Sequence, residues 1–486
     1  MERLRRGITF GQLLVFLAAA LPVLVGLRFA YSTVDLAYLI RAGEAMLDTH
    51  EVMRTDTFTF TVVGDAWLNQ QWGAEIVLAL LHRTGSWEAL AAARIVLVAL
   101  IFWLEFLACR AAGASYRAAG WLTLGALFVS IDGLTIRPQL FGVAFFALTL
   151  WIVSGRSRRP RLLWCIPVMV LVWANIHGSF VLAPLLLLLT WLGDRRRAGA
   201  GARTELGVAL MCVAAAFVNP FGVRIWAYVA NLTTDPEIRT LVEEWQLTRP
   251  TSLIGISFFV SVVVVIAIVA LRRPRLGWPR LVALAVFFAL GFQAVRGVMW
   301  WALAAPVLIA DLFPERAGGR DEPARLNFVI AGVITFLMVP LLPWFRPTYA
   351  SDTTSFSATD GLLLHAPVTL SEAVAAEVQP GSRIFVEQIW SSWFELVLPD
   401  YPVFVDSRIE LFPAEVWSEY GVVLSAGEGW DDVLDRWDVD VLAVSRQQSG
   451  LAAAIRDHAG WRPLHEDADG IVFIRVHPPP AREESG

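Results

Sequence analysis

Eleven apolar runs partition the first 345 residues, and they constrain the fold more than any other feature. The first, Ile8 to Ala30, is ~23 residues long, enough to cross a bilayer at 1.5 Å per residue. The others lie at about 88–109, 118–132, 138–154, 162–176, 179–193, 204–218, 251–271, 281–297, 298–313 and 326–345. With 56% hydrophobic residues and a mean hydropathy of +0.58, the chain is too apolar for a soluble protein of its length. The runs predict a polytopic α-helical membrane protein of about eleven spans. MERLRR ahead of the first run suits a signal peptide, but the run exceeds a signal h-region and no clear small-residue cleavage site follows. The first run is therefore expected to be a retained span. Cys109, Cys165 and Cys212 all fall inside apolar runs and read as small core residues, with no disulfide framework implied.

Charge is distributed unevenly. Lysine is absent and all 39 basic residues are arginine, a bias that suits a GC-rich bacterial genome. From Arg346 onward there are 9 Arg and 23 acids, net −14, and the preceding part carries net +9. Two domains are expected: a transmembrane domain over 1–345, including an extracytoplasmic loop at 31–87, and an extracytoplasmic α/β domain over 346–486 with a disordered end, PPPAREESG. Of the 30 arginines before Arg346, 20 sit in MERLRR and every second connection after it. The positive-inside rule then puts the N-terminus in the cytoplasm, and loop 31–87 and the tail outside. The expected location is the bacterial inner membrane.

The stretch from Tyr31 to Glu75 is the longest polar interruption before residue 219. Leu36, Leu39/Ile40, Gly43 and Met46/Leu47 recur at helical spacing, which predicts an amphipathic helix along the interface. Phe58, Phe60 and Val62 alternate with threonines, which predicts a short strand ending at Gly64-Asp65. A helix from Asn69 to His82 then returns to the membrane. In the tail, strands are predicted at 383–388, 403–407, 440–445 and 471–476. Helices are predicted at 370–378, 390–398, 413–425, 430–437 and 450–459. Apolar strands alternating with helices imply a mostly parallel sheet covered on both faces. The outer connections also collect Asp132, Arg137, Asn175, His177, Asn219, Glu243, Glu244, Trp245, Gln293 and Arg296. Polar groups at span ends usually face a protein interior or a wet cavity, which suggests an outward-facing cleft.

The first loop resembles that of the GT-C glycosyltransferases, polytopic enzymes that use lipid-phosphate-linked sugars. TVDLAYLIRAGEAMLDTHEVMRTDTFTFTVVGDAWLNQQWGAE is similar to the loop of bacterial RgtA/B/C/D-like and protein O-mannosyltransferase-like members. The matching positions are Asp35, Gly43, Asp56-Thr57-Phe58-Thr59, and Trp67 with Trp72. PVFVDSRIELFP is similar to the extracytoplasmic tail of the same group. The resemblance implies an inverting membrane glycosyltransferase that moves a sugar from a polyprenyl-phosphate donor to an envelope lipid, glycan or protein at the outer face. Many such loops carry an adjacent acidic pair, whereas Asp35 precedes Leu36 and Ala37, and a histidine near Tyr38 is missing. The cofactor is thus unassigned, with a divalent metal left open.

Such chemistry needs a carboxylate to take the acceptor proton and cations, arginine best, to hold the phosphate. Asp35 is the candidate base and Asp56 the second carboxylate. Arg137 and Arg296 are candidate phosphate clamps, and His177 is a further candidate for binding substrate. Trp72 and Trp245 are candidates for stacking on a sugar face. Each also has a structural reading. Asp35, three residues after Ser32, fits a capping box. Asp56 fits a turn, His177 a helix end, Arg137 a span anchor, and Glu243 and Glu244 a solvated helix face. The expected partners are the membrane, a lipid-linked sugar donor and an unidentified acceptor, and not nucleic acid. A lipid or glycan transporter and an envelope assembly scaffold are the competing readings.

Overall fold

The computed structural model describes residues 7–28, 30–195, 200–234, 242–272, 276–315, 322–349, 354–356 and 361–476. The stretch PPPAREESG lies outside them. The chain divides into two compact units. One comprises Met1–Phe29 and Glu88–Phe345, the other Ala30–Trp87 and Arg346–Gly486. Loop 31–87, expected within the membrane domain, therefore groups with the tail.

In the membrane unit, each expected apolar run becomes helix, but most are shorter than a span. Among the described residues, Phe10–Arg28, Trp72–Ala112, Leu253–Arg272 and Val295–Leu312 are long and apolar enough to cross a membrane. Five others, Pro138–Ser154, Pro160–Trp173, Gly178–Asp194, Trp278–Gln293 and Arg325–Leu341, are apolar but only 10–17 residues long. A 15-residue helix rises about 22 Å, short of a hydrocarbon core of about 30 Å. The expected count of about eleven spans is therefore corrected: among the described residues four helices are long enough. Prolines at the first turns of the Pro138 and Trp278 helices set where those elements begin. The Trp72–Ala112 helix breaks at Gly85 and Ser86, the latter at φ 52°. The part before the break lies in the other unit. Aromatic contacts bind the helices together: Phe146 meets Trp300 edge-on at 5.4 Å, and Trp301 Nε1 donates to Ser261 Oγ at 2.8 Å. Cys109 and Cys212 are buried as expected, but Cys165 is exposed.

The second unit joins the loop to the tail. Strand β1 (Tyr31–Ser32) pairs in parallel with β2 (Leu363–Leu364). The predicted amphipathic helix is observed as Thr33–Thr49, with Ser32 Oγ accepting from Val34 N at 3.2 Å as its N-cap. Gly43 faces the backbone of Glu75: a Cβ there would lie 2.1 Å from the Glu75 carbonyl oxygen. Only glycine allows the two helices this approach. The predicted strand 57–62 is not regular. It makes an isolated bridge, Thr59 to Val403, with Phe60 N donating to Val403 O at 3.1 Å. Its alternation still buries Phe58, Phe60 and Val62, and the chain turns at Gly64, φ 84°.

The main sheet has β3 (Ile384–Val386), β4 (Val441–Ser445), β5 (Trp461–Glu466) and β6 (Gly470–Arg475), in the order β3-β4-β6-β5. Only β3 and β4 run parallel, while β4–β6 and β5–β6 are antiparallel. The expected mostly parallel sheet is thus corrected. Asp467 is the cause: its Oδ1 accepts from Asp469 N at 2.8 Å and Gly470 N at 3.0 Å, turning β5 back on β6 as a hairpin. The predicted strand at 403–407 supplies only the Val403 pairings to Ile384 and Thr59. Phe60 and Val62 of the loop share one hydrophobic core with Phe385, Phe404, Leu442 and Phe473 of the tail. The tail's core is therefore completed by the loop.

Candidate functional site

In the loop-and-tail unit, Asp35 occupies the first turn of the Thr33–Thr49 helix and is half-buried. The tail fixes that turn. Ser407 Oγ donates to the Val34 carbonyl at 2.5 Å, and Thr33 Oγ1 donates to the carbonyls of Leu364 and His365 at 3.1 and 2.7 Å. Ser32 Oγ lies 2.8 Å from His365 Nδ1. Burial, then the charges of Asp35, Glu410, Glu75 and Asp406, push the buried Tyr38 hydroxyl well above its ordinary range. Tyr38 therefore stays a neutral hydroxyl beside the Asp35 carboxylate. A carboxylate on a helix turn held by three side-chain contacts is suited to accept a proton from a docked hydroxyl.

Asp56 has a different place. It is fully buried, and its Oδ2 accepts from Thr59 N and Thr59 Oγ1 at 3.1 and 2.7 Å. Its Oδ1 accepts from Arg408 Nη2 at 2.5 Å. Arg408 is 1% exposed and also grips Asp406, through Nε at 2.8 Å and through Nη2. The guanidinium lies 4.6 Å from the Trp67 ring centroid and 4.9 Å from that of Phe58. Burial, and then Asp406, push the neighbouring Glu395 carboxyl well up, so it is protonated. Asp56 thus belongs to a buried charge network with Arg408 and Asp406, and its contacts to Thr59 fit its turn reading. Glu75 is buried beside it, with Asn69 Nδ2 donating to Glu75 Oε2 at 2.6 Å. Trp72 is half-buried at the first position of its helix. Sequence reasoning missed Arg408, Asp406 and Glu395. The signal was Asp-Ser-Arg inside the apolar stretch PVFVDSRIELF.

In the membrane unit, Arg137, His177, Trp245 and Arg296 come together. Arg137 precedes Pro138 and is extended, φ −161°, as a pre-proline residue should be. It pairs with Glu244, and Arg296 Nη2 donates to Gln139 Oε1 at 3.2 Å. Arg296 lies over the Trp245 ring at 4.4 Å. The 243–248 segment is tied to the Arg296 turn by Val295 N to Gln246 O at 3.1 Å and Thr248 Oγ1 to Gly291 O at 2.6 Å. His177 caps the turn Gly178–Val181, with Ser179 N donating to Nδ1 at 3.1 Å, as its helix-end reading foresaw. Burial, followed by Arg296 and Arg137, holds His177 well below its ordinary range, so it is neutral. Burial pushes Glu244 up, but Arg137 and Arg296 outweigh it and hold the carboxyl below its ordinary range. Glu244 is therefore an ion-pair partner rather than part of a solvated face. Among the described residues both guanidiniums face the Glu244 carboxylate, at the N-terminus of the 17-residue Pro138–Ser154 helix, where the helix dipole favours negative charge. Among the described residues no group of three or more His, Cys, Asp or Glu is placed to hold a metal ion, and no step below uses one.

Among the described residues the chain thus has four helices long and apolar enough to cross a membrane and a C-terminal region built on a four-stranded sheet. No curated family model and no curated protein matches the sequence. Solved structures do match the fold. One is the oligosaccharyltransferase of Archaeoglobus fulgidus tethered to an acceptor peptide containing the NVT sequon. It has a TM-score of 0.55 and 11% identity, over 96% of this chain and 74% of that one. The same enzyme in its apo form gives 0.53 and 11%, over 89% and 69%. The archaeal oligosaccharyltransferase AglB from that organism, in complex with an inhibitory peptide and a dolichol-phosphate, gives 0.53 and 10%, over 90% and 69%. The chain therefore shares its fold with these oligosaccharyltransferase structures.

Proposed function

We propose that the protein is an inverting GT-C glycosyltransferase that moves a sugar from a polyprenyl-phosphate donor to an envelope acceptor at the outer face of a bacterial inner membrane. The observation that carries this reading is the fold, which matches oligosaccharyltransferases along nearly the whole chain, one of them solved with a dolichol-phosphate. The chemistry of the residues supports it. Arg137 and Arg296 hold the donor phosphate, and Trp245 orients Arg296. Asp35 takes the proton of the acceptor hydroxyl or amide. The acceptor atom bonds to the anomeric carbon, and the carbon–oxygen bond to phosphate breaks. The lipid phosphate leaves with that electron pair, its added charge met by the guanidiniums. The arginine asymmetry supports a cytoplasmic N-terminus, checked by reporter fusions after Arg158 and after Ser357, which should report opposite sides.

Asp35→Asn tests the reaction. It retains the side-chain shape and removes the proton acceptor. General-base catalysis contributes about 10²–10⁴-fold, so turnover of a lipid-phosphate sugar, chosen from a panel with the wild type, should fall by that factor at unchanged melting temperature. If Asp35 only caps its helix, stability drops by about 1 kcal/mol and turnover per folded molecule is retained. That outcome, or no turnover of any donor by the wild type, overturns the reading.

A further inference from the structure

The membrane unit contains a groove of about 1330 Å³ that the proposed chemistry does not use. This exceeds the ~300–1,000 Å³ typical of small-molecule pockets. Two helices form its long walls, Tyr116–Ser130 and Leu253–Arg272, with Val298–Ile309 as the floor. The lining runs from Ser257 to Arg272 on one wall, about 22 Å at 1.5 Å per residue. That is one leaflet of hydrocarbon, about 15 Å, plus a head group. Along its length the lining is apolar, with Phe128, Val260, Val264, Ile268 and Ala305 facing the space. The wall hydroxyls are turned inward: Ser257 Oγ donates to Ile254 O at 2.8 Å, and Ser261 Oγ to Phe258 O at 2.6 Å while accepting from Trp301. The groove therefore offers little to a sugar or a peptide backbone.

Its charge sits at one end. Arg117 and Arg272 are both in the lining there, Arg117 5.9 Å from the Phe10 ring centroid and Arg272 4.8 Å from that of Phe313. Among the described residues the one acid in the lining is Glu315, 3.5 Å from Arg110 Nη1. This end belongs to the arginine-rich connections between helices. The geometry points to a binding site for one anionic phospholipid of the adjoining leaflet, acyl chain along the groove and phosphate at Arg117 and Arg272. The charge at the mouth selects the head group, and the length of the apolar trough selects a chain. A basic residue near an anionic membrane surface contributes about fivefold in affinity.

The test uses the full-length protein reconstituted in nanodiscs of equal phosphatidylglycerol and phosphatidylcholine, with retained lipid counted by native mass spectrometry. The wild type should retain phosphatidylglycerol over phosphatidylcholine by at least about fivefold. The double variant Arg117→Gln, Arg272→Gln should lose that preference while keeping its phosphatidylcholine. Gly125→Phe addresses the trough: Gly125 lines the groove, and a Cβ there meets nothing within 4 Å. It should lower retention of both lipids, and its melting temperature shows that it is folded. No preference in the wild type, an unchanged preference in the double variant, or undiminished retention in Gly125→Phe would each overturn the assignment.

Discussion

Each unit contains an arginine-centred cluster, and the two are built on opposite principles. Arg408 is almost wholly buried, touches two carboxylates and has aromatic rings over it. Its charge is spent on its own protein. Arg137 and Arg296 are half-buried and stand beside Glu244 at a helix N-terminus, where a positive charge is unfavourable. The first cluster is what a chain uses to fix one packing arrangement, and the second is where the proposed function places the donor phosphate. Residue type alone does not separate these roles; the degree of burial does.

The comparison can be broken most directly at Arg408. Arg408→Met leaves Asp56 and Asp406 buried without their cation and should cost about 3–5 kcal/mol. The loss should appear as a lower melting temperature and poor expression, while any folded molecules turn over normally. A folded, inactive Arg408→Met protein would put Arg408 in the reaction instead. Next in size is Arg296→Gln. A lost charge-assisted contact to phosphate is worth about 1.5–3 kcal/mol, so the donor KM should rise about tenfold to a hundredfold at unchanged stability. A stability loss without a KM effect would make Arg296 a second Arg408.

Trp245→Leu sharpens the same point at smaller scale. Removing the ring under Arg296 should raise the donor KM by only about twofold to fivefold, the value of an exposed cation–π contact. A separate effect is set by pH. Burial lowers His365 from 6.5 to about 4, so the folded protein holds it neutral beside Ser32. The unfolded chain binds the proton first as pH falls. Stability is therefore complete above about 6.5 and declines as pH drops from there toward 4. A melting series from pH 7 to 4.5 should show that slope, and His365→Asn should flatten it.

Much of this was legible in the sequence, and the exceptions have physical causes. Ser32 followed by apolar residues at helical spacing marks the Thr33–Thr49 helix and its cap correctly. The alternation over Phe58, Phe60 and Val62 identifies the buried side chains without forming a strand, because their neighbours are tail residues that local pattern does not see. Strand β5 was missed because, of its six residues, only Trp461 is buried and Pro463 interrupts it. Arginine bunching at Arg137 and Arg296 was visible as polar groups at run ends. Their partners Gln139 and Glu244 were not, since Glu244 lies 107 positions from Arg137. Helix positions were read closely, as the 138–154 run and the Pro138–Ser154 helix show, but an apolar run of about 15 residues was counted as a span although it is too short to cross the hydrocarbon core.

The pairing of Asp56 with Arg408 spans 352 positions. At a synthesis rate of about 5–20 residues per second, Asp56 and the side chains of Phe58, Phe60 and Val62 wait roughly 20–70 seconds before their partners exist. During that interval the intervening membrane helices are inserted, and the first loop stands exposed with an unpaired acid and a row of bare aromatic and aliphatic groups. Production of this protein in a cell therefore depends on something sheltering that nascent loop.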